Sequence, residues 1–310
     1  MLIKILGSAA GGGLPQVNCT CCNCAAVRRG DPGIAARTQS SLAVSADGKL
    51  WTLLNASPDI RQQLAAMPEF APDPDKGPRS SPVEAVVLTN GDLDHVAGLL
   101  SLREGIRFTL YASREVLAAL DANTVFDVLD RAVVHRSALT AGRSVNLRIG
   151  DGDLGLEVES FTVPGKVALY LENAAAGPGL GTREGDTLGL RITDPRSGAA
   201  FFYIPGCAAM DTALAARLRG ASLVLFDGTL FTDDEMIALG LSSKTGRRMG
   251  HISMSGEEGS LAAFANLEVA RKVYTHINNS NPALREGSPE RRTAEAAGWE
   301  IAYDGMEIRL

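Results

Sequence analysis

Three side chains able to bind a metal ion follow an apolar run in the first third of the chain. The stretch "VEAVVLTNGDLDH" ends in Asp92, Asp94 and His95, although the whole chain of 310 residues has only four histidines. Burying charged groups is unfavourable unless another charge compensates them. A bound cation is the simplest explanation of this cluster.

Two other apolar runs also end in metal-binding residue types: "LVLF" is followed by Asp227, and "KVYT" by His276. Buried strands commonly bring polar groups together at one end of a sheet. Two histidines and one carboxylate, here His95, His276 and Asp94, form the open-sided donor set of non-haem iron that uses oxygen, and these donors also suit zinc or manganese. Asp92 and Asp227 would support a second ion or orient the imidazoles. The alternative is that the aspartates cap helices and the histidines sit in ordinary hydrogen bonds.

A second candidate metal site lies in "NCTCCNC" near the N-terminus. Cys19, Cys21 and Cys24 have a C-x-C-x-x-C spacing that does not favour disulfides among them. Without an export signal we expect a reducing compartment, so thiolate ligands to a structural Zn(II) are the preferred interpretation. Cys207, Asn279 or a histidine would supply the fourth ligand. The alternative is a set of free buried thiols.

The remaining motifs are less specific. His251 is either an acid–base group or a buried residue, and His135 is expected on the surface. The glycine-rich "GSAAGGG" lacks the G-x-G-x-x-G spacing of a dinucleotide loop and runs into the cysteines, so it is interpreted as a tight turn.

The elements that must position these residues mix hairpins with helices. Short apolar runs separated by "SADGK" and "TDPRSGA" indicate strands, whereas "SREVLAALDANTVFDVLDRAV" and "SPERRTAEAAG" have helical spacing or a helix cap. This mixture predicts an α/β protein with packed sheets. We expect one domain over residues 1–310, with a cysteine-rich metal-binding loop at about residues 18–25.

Composition excludes several other classes of protein. Thirty basic and 36 acidic residues give a net charge of −6, and no long basic tract suits a nucleic-acid binder. No run approaches the ~20 apolar residues of a membrane span. The expectation is a soluble cytoplasmic protein.

The sequence closely resembles the pyrroloquinoline quinone (PQQ) biosynthesis protein B family of the metallo-β-lactamase-fold superfamily. The motifs that carry the resemblance reach from one terminus to the other: "LGSAAGGGLPQVNCTCCNC", "LLNASPDIRQQL", "LDHVAGLLSLREG", "DGTLFTDDEM", "TGRRMGHISM" and "HINNSNPALREGSPER". The resemblance implies a four-layer αββα sandwich with the metal site at the sheet ends.

The sequence departs from the superfamily pattern at several positions that bind metal in hydrolases of this fold. Its H-x-H-x-D-H loop has Asn90 and Asp92 here in place of the two leading histidines. A "PGH" turn is replaced by "VPGK" with Lys166, and "YIPGC" lacks the usual aspartate. A two-zinc hydrolase site is therefore incomplete, although one ion can be held by Asp94, His95 and His276.

The resemblance further implies a role in making the quinone cofactor from a glutamate-tyrosine (Glu-Tyr) peptide. The preferred hypothesis is an Fe(II)-dependent tyrosine hydroxylase in which Asp92 or Asp227 assists the three ligands. His251 would move a proton, and Lys166 or an arginine would bind the acidic peptide. The alternatives are a soluble carrier of PQQ or its precursor toward the periplasm, and a zinc-dependent hydrolase. Other proteins of the pathway and a second copy of the chain are further expected partners.

Overall fold

Two seven-stranded β-sheets form the centre of the protein in a computed structural model that describes residues 1–176 and 181–310. In spatial order, with strands numbered along the chain, the first sheet contains β14 (Glu307–Arg309), β1 (Leu2–Gly7), β2 (Ser41–Ser45), β3 (Trp51–Leu54), β4 (Val83–Val87), β5 (Phe108–Ser113) and β6 (Val134–Leu139). The second contains β13 (Trp299–Ile301), β12 (Arg271–Thr275), β11 (Leu223–Asp227), β10 (Ala200–Ile204), β9 (Leu188–Thr193), β8 (Gly152–Thr162) and β7 (Ser144–Ile149).

Each sheet has an antiparallel part and a parallel part. Strands β3 to β6 pair in parallel in the first sheet, and β10 to β13 do so in the second. The remaining neighbours in both sheets are antiparallel. The carboxyl ends of parallel strands meet at one edge, which is where sheets of this kind build their sites.

Helices cover the outer faces of both sheets. The α-helices of the described residues are α1 (Cys22–Arg28), α2 (Ile60–Ala65), α3 (Leu93–Val96), α4 (Arg114–Asp121), α5 (Thr212–Leu218), α6 (Glu235–Ala238), α7 (Ser260–Ala263) and α8 (Pro289–Ala296). Short 3-10 helices occur at Pro68–Phe70, Pro74–Lys76, Ala97–Leu102, Thr124–Val128, Leu169–Leu171, Ala174–Ala176, Arg247–Met249 and Pro282–Leu284.

Three apolar layers separate the sheets and helices. Alternation along a strand sends successive side chains to opposite faces, so Leu225 packs between the two sheets and Phe226 packs under the helices. In the first sheet, Leu54 packs between the two sheets and Leu53 packs under the helices. The apolar layer of the first sheet includes residues of α2, α3 and α4, and that of the second includes residues of α1, α5 and α8. The predicted four-layer αββα sandwich is confirmed.

Local signals predicted some helix ends and missed others. Helix α8 begins after Ser288, whose hydroxyl oxygen accepts a hydrogen bond from the Arg291 amide at 3.0 Å, as the Ser-Pro cap predicts. The long helix predicted over residues 113–133 is wrong, because α4 ends at Asp121. Beyond it, the Asn123 side chain donates to the Ala119 carbonyl at 2.6 Å and competes with the backbone bonds that would continue the helix.

The described residues contain no helix long and apolar enough to cross a membrane.

Candidate metal centre

The predicted metal-binding residues Asp94, His95 and His276 meet at the carboxyl ends of strands from both sheets. Asp94 and His95 lie on α3, which follows β4, and His276 directly follows β12. One ligand atom from each lies within 4.8 Å of the other two. Asp94 Oδ2 is 3.0 Å from His276 Nε2 and 4.0 Å from His95 Nε2. The three groups therefore converge in a way that one ion can bridge.

The imidazole of His95 is oriented through its other nitrogen. Its Nδ1 donates to Asn90 Oδ1 at 2.7 Å, and Thr89 Oγ1 lies 3.4 Å away. This bond leaves the lone pair on Nε2, an atom that is buried and has no hydrogen-bond partner among the described residues. An unpaired buried nitrogen is unfavourable unless something binds it. A metal ion beside Asp94 would satisfy it.

His276 is held in an unusual backbone conformation. Its φ of 55° is in the left-handed region, which a residue with a side chain occupies at an energetic cost. The conformation is stabilised by the next two amides, which donate to Ser8 O and Thr229 O at 2.9 and 3.0 Å. Thr229 Oγ1 donates to Asp227 Oδ1 at 2.7 Å and accepts from His276 Nδ1 at 2.9 Å, so His276 Nε2 faces Asp94.

Electrostatics link the protonation states of these three residues. Burial would raise the pKa of Asp94, but His95 and the hydrogen bond from His276 hold that pKa well below its usual range. Burial lowers the pKa of His95 to about 4, so its ring is neutral at ordinary pH. Burial would also lower the pKa of His276, but the hydrogen bond to Asp94 raises it. A metal ion bound to His276 would compete with protons for this nitrogen.

Asp227 and His251 form a buried pair beside this centre. Asp227 is the last residue of β11, and its carboxylate accepts bonds from His251 Nδ1 at 2.7 Å, Cys207 N at 2.9 Å, and Thr229 N and Oγ1 at 3.0 and 2.7 Å. Asp227, His251 and His276 also have ligand atoms within 4.8 Å of one another. Because four hydrogen bonds already occupy the Asp227 oxygens, the geometry favours orientation of His251 over metal ligation.

Asp92 and Lys166 lie on the wall of the same pocket but outside these clusters. Asp92 Oδ1 is 3.6 Å from Lys166 Nζ and accepts a bond from the Leu169 amide at 3.4 Å. Lys166 Nζ is also 3.8 Å from Glu172 Oε1. The structure does not bring Asp92 into either group of converging ligands, so its role as a ligand stays a prediction.

The pocket is an open cavity of about 420 Å³, with the candidate ligands on its wall. Ala10 and Gly11 of the glycine-rich turn line it as well. A Cβ atom added at Gly11 would lie 3.3 Å from Asp94 Oδ2, so a larger residue here would require the carboxylate to shift slightly. The turn thus borders the site.

The three predicted cysteine ligands also converge. Cys19, Cys21 and Cys24 have sulfur atoms within 4.8 Å of one another, with Cys19 and Cys21 preceding α1 and Cys24 inside it. The Asn279 side-chain amide lies 3.2, 3.5 and 3.3 Å from these sulfurs in that order. Cys207 is not part of the group; its thiol donates to Ala209 O at 3.1 Å. Among the predicted fourth ligands, Asn279 is the one in place.

The thiols have divergent proton affinities. Burial would raise the pKa of Cys21, but hydrogen bonds to its sulfur, first from the Cys24 backbone, lower it. Burial raises the pKa of Cys24 to about 11. Three thiols and an amide around one point suit zinc, which would deprotonate the sulfurs on binding. The donor set therefore fits a zinc ion.

The architecture and the ligand cluster at the sheet ends define a metallo-β-lactamase-fold protein. In agreement, the family described as "Beta-lactamase superfamily domain" matches residues 50–277. A crystal structure of a diphosphatase of the PhnP family has the same fold, with a TM-score of 0.66 and 20% identity over 99% of this chain and 96% of that chain.

Closer relatives identify the particular family. "Coenzyme PQQ synthesis protein B" of Bradyrhizobium diazoefficiens is 52% identical over 310 residues, or 99% of each chain. The protein of the same name from Xanthomonas oryzae pv. oryzae is 52% identical over 311 residues and 100% of each chain. The crystal structure of "Zn(2+)-bound PqqB from Methylobacterium extorquens" has a TM-score of 0.92 and 50% identity, with both chains fully covered. The chain belongs to the coenzyme PQQ synthesis protein B family, so its role lies in PQQ biosynthesis.

Several residues of the site were given no role in the sequence analysis. Asn90 orients His95, Thr229 connects Asp227 with His276, and Lys244 lines the pocket. Asn90 and Thr229 each lie within five residues of a predicted ligand, which was the available signal. Lys244 is remote in sequence from every ligand, so no local pattern marked it. His135 is exposed on β6, as predicted.

Proposed function

We propose that this chain is an iron(II)- and oxygen-dependent hydroxylase of the tyrosine ring in a Glu-Tyr peptide. The observation that carries the proposal is the convergence of Asp94, His95 and His276 on an open pocket, with His95 Nε2 buried and unpaired. Two histidines and one carboxylate with open positions are typical of non-haem Fe(II) oxygenases. The zinc-bound relative supports divalent-metal binding within the family.

Each residue of the chain has a separate task in this proposal. Asp94, His95 and His276 would hold the ion, and Asn90 and Thr229 keep the Nε2 lone pairs of the two histidines directed toward it. Bound ferrous iron would supply the activation of dioxygen. The overall reaction consumes dioxygen, two electrons from an external reductant and two protons, and yields a ring hydroxyl group and water.

Proton movement is assigned to His251. Its Nδ1 donates to the Asp227 carboxylate at 2.7 Å, so its Nε2 is the basic nitrogen, and the residue lines the pocket. Asp227 would orient the ring through this bond. Lys166 and Asp92 would contribute charge at the pocket wall, where they already lie 3.6 Å apart.

The second part of the proposal is a structural zinc ion held by Cys19, Cys21 and Cys24. The contacts of Asn279 with all three sulfurs support the side-chain amide as the fourth donor. The amide nitrogen of Asn279 contacts the sulfurs, and a half-turn of the amide group would direct its oxygen at a bound ion.

The test is anaerobic reconstitution with Fe(II) followed by oxygen uptake with Glu-Tyr dipeptide and a reductant. Wild-type protein should consume oxygen and oxidise the ring, whereas Asp94→Ala, His95→Ala and His276→Ala should bind no iron. His135→Ala is the matched control because this histidine is exposed and outside the pocket. Its iron content and oxygen uptake should equal those of the wild type.

Other results would favour the alternatives. A carrier would bind finished PQQ tightly and consume no oxygen with the dipeptide. A hydrolase would turn over without oxygen when loaded with zinc, although Asn90 and Asp92 replace two of the histidines that such sites use. Iron-loaded protein that binds the dipeptide and leaves its ring unoxidised in the presence of reductant would refute the hydroxylase.

The proposal also includes a cytoplasmic location, contacts with other proteins of the pathway, and a homodimer. Fractionation of cells and sedimentation of the purified chain would test the first and the last. A purely monomeric species at micromolar concentration would remove the dimer from the proposal.

A further inference from the structure

The basic residues around the pocket differ in how far they are already engaged. Lys166 lies between two carboxylates, Asp92 and Glu172, and its Nζ also donates to Val167 O at 3.2 Å. Its carbon chain packs on Gly250, where an added Cβ would lie 3.0 Å from the Lys166 Cγ. Lys166 is therefore fixed in the wall and has little capacity for another anion.

Arg248 is occupied in a similar way. Its two terminal nitrogens donate to the two carboxylate oxygens of Glu172 at 3.4 and 3.0 Å. This forked pairing satisfies the guanidinium group and lowers the pKa of Glu172. Neither Lys166 nor Arg248 is thus a ready hydrogen-bond donor for a substrate carboxylate.

Lys244 differs from both. It is half-buried and lines the same pocket, yet no salt bridge or side-chain hydrogen bond to its ammonium group occurs among residues 1–176 and 181–310. Its backbone is nevertheless fixed: its amide donates to Ser242 Oγ at 3.1 Å, and the Gly246 amide donates to Asp233 O at 2.8 Å. Lys244 thus lies on an anchored loop with no carboxylate of the described residues within 4 Å of its ammonium group, and its charge contributes, after that of Arg248, to lowering the pKa of Glu172.

The pocket combines this cation with an apolar surface. Leu169, Met236 and Met249 line it beside Lys244. Thioether and aliphatic groups pack well against aromatic rings. Two lysines and three carboxylates line the pocket, so a bound divalent ion makes the net charge of the lining positive. The lining thus suits a ligand that has both an aromatic ring and a carboxylate.

We propose that Lys244 is the specificity residue that binds a carboxylate of the substrate, while Leu169, Met236 and Met249 contact its ring. This inference rests on the proposed function for the identity of the substrate, a Glu-Tyr peptide. It assigns the recognition of the acidic group to Lys244 in place of Lys166 or an arginine.

The test measures binding without turnover. Zinc-loaded protein is titrated calorimetrically, in the absence of oxygen, with the dipeptide Glu-Tyr and with two analogues, Gln-Tyr and Glu-tyrosinamide, each of which lacks one carboxylate. Lys244→Gln should weaken Glu-Tyr binding by about tenfold, the range for a hydrogen bond to a charged group that is partly exposed. Lys244→Arg should recover much of the affinity, and Lys49→Gln, at an exposed hairpin lysine, should have no effect.

The analogues separate a direct contact from a general loss of structure. With the analogue that lacks the carboxylate bound by Lys244, Lys244→Gln should cause no further loss of affinity. The metal content and melting temperature of Lys244→Gln should match those of the wild type. In the iron-loaded variant, KM for Glu-Tyr should rise about tenfold with kcat nearly unchanged.

Equal weakening for all three ligands, no weakening for any, or no binding of Glu-Tyr by the wild type would overturn the assignment. Binding that depends on Lys244 without ring oxidation would instead refute the hydroxylase reaction and leave this assignment standing.

Discussion

Replacement of Asn90 by alanine tests how the metal centre is oriented. Asn90 and His95 are both buried. His95 Nδ1 donates a hydrogen bond to Asn90 Oδ1 at 2.7 Å, which is shorter than its contact with Thr89 Oγ1. Thr89 Oγ1, at 3.4 Å, is a weak substitute because the contact is long and this oxygen already accepts a bond from Asn55 Nδ2 at 3.0 Å. In Asn90→Ala the His95 ring therefore loses the bond that fixes its tautomer.

The expected magnitude follows from this geometry. A buried donor left without its partner costs about 1–3 kcal/mol. Loss of a residue that orients a metal ligand typically weakens metal binding by about 10–100-fold, or roughly 1.4–2.7 kcal/mol. Asn90→Ala should therefore bind one Fe(II) or Zn(II) per chain in this pocket with about 10–100-fold lower affinity.

The assay is anaerobic competition with a chromophoric chelator, with total zinc measured to confirm that the cysteine site is still filled. Asn90→Asp retains an acceptor for His95 and for the Asp92 amide, so it should lose less affinity. Asn146→Ala, at an exposed position on β7, is the matched control. Unchanged metal affinity in Asn90→Ala, with the cysteine zinc intact, would show that Asn90 does not orient His95.

Three further predictions concern the same two sites. Cys21→Ser should lower the zinc content by about one ion per chain and reduce the melting temperature, because metal binding is coupled to folding; full zinc content at an unchanged melting point would contradict the structural site. Asp227→Asn should keep most of the iron but slow turnover and shift its pH profile, because it weakens the bond that orients His251; loss of the iron would instead make Asp227 a ligand. In metal-free protein, the pKa of His276 is raised by Asp94, so the stability that this pair contributes is present below the ordinary histidine pKa and is lost as pH rises through the raised value. In denaturant unfolding, the free energy of unfolding of the wild type should exceed that of Asp94→Asn by more at mildly acidic pH than at mildly alkaline pH. A difference that does not change with pH would exclude the coupling.

Some features of this protein were determined by local sequence. Alternating apolar residues predicted the strands, and the metal-binding residue types at their ends predicted where a site would form. The spacing of Cys19, Cys21 and Cys24 predicted a cluster because residues so close in sequence meet with little help from the rest of the fold. The motifs of the resemblance predicted the family and the four-layer sandwich, both of which were confirmed.

Other features depended on contacts between distant segments. Asp94 and His276 are separated by 182 residues, and only the packing of the two sheets places their side chains 3.0 Å apart. Similarly, Asn279 reaches the cysteines across more than 250 residues. Lys166 and Lys244 are the same residue type, and only the surrounding fold shows that one is held by carboxylates and the other is not. Local sequence specifies which chemical groups a strand end or a loop carries. The partner of each group, its burial and the charges around it arise only when separate elements pack together. The roles of these groups were therefore decided by the tertiary structure.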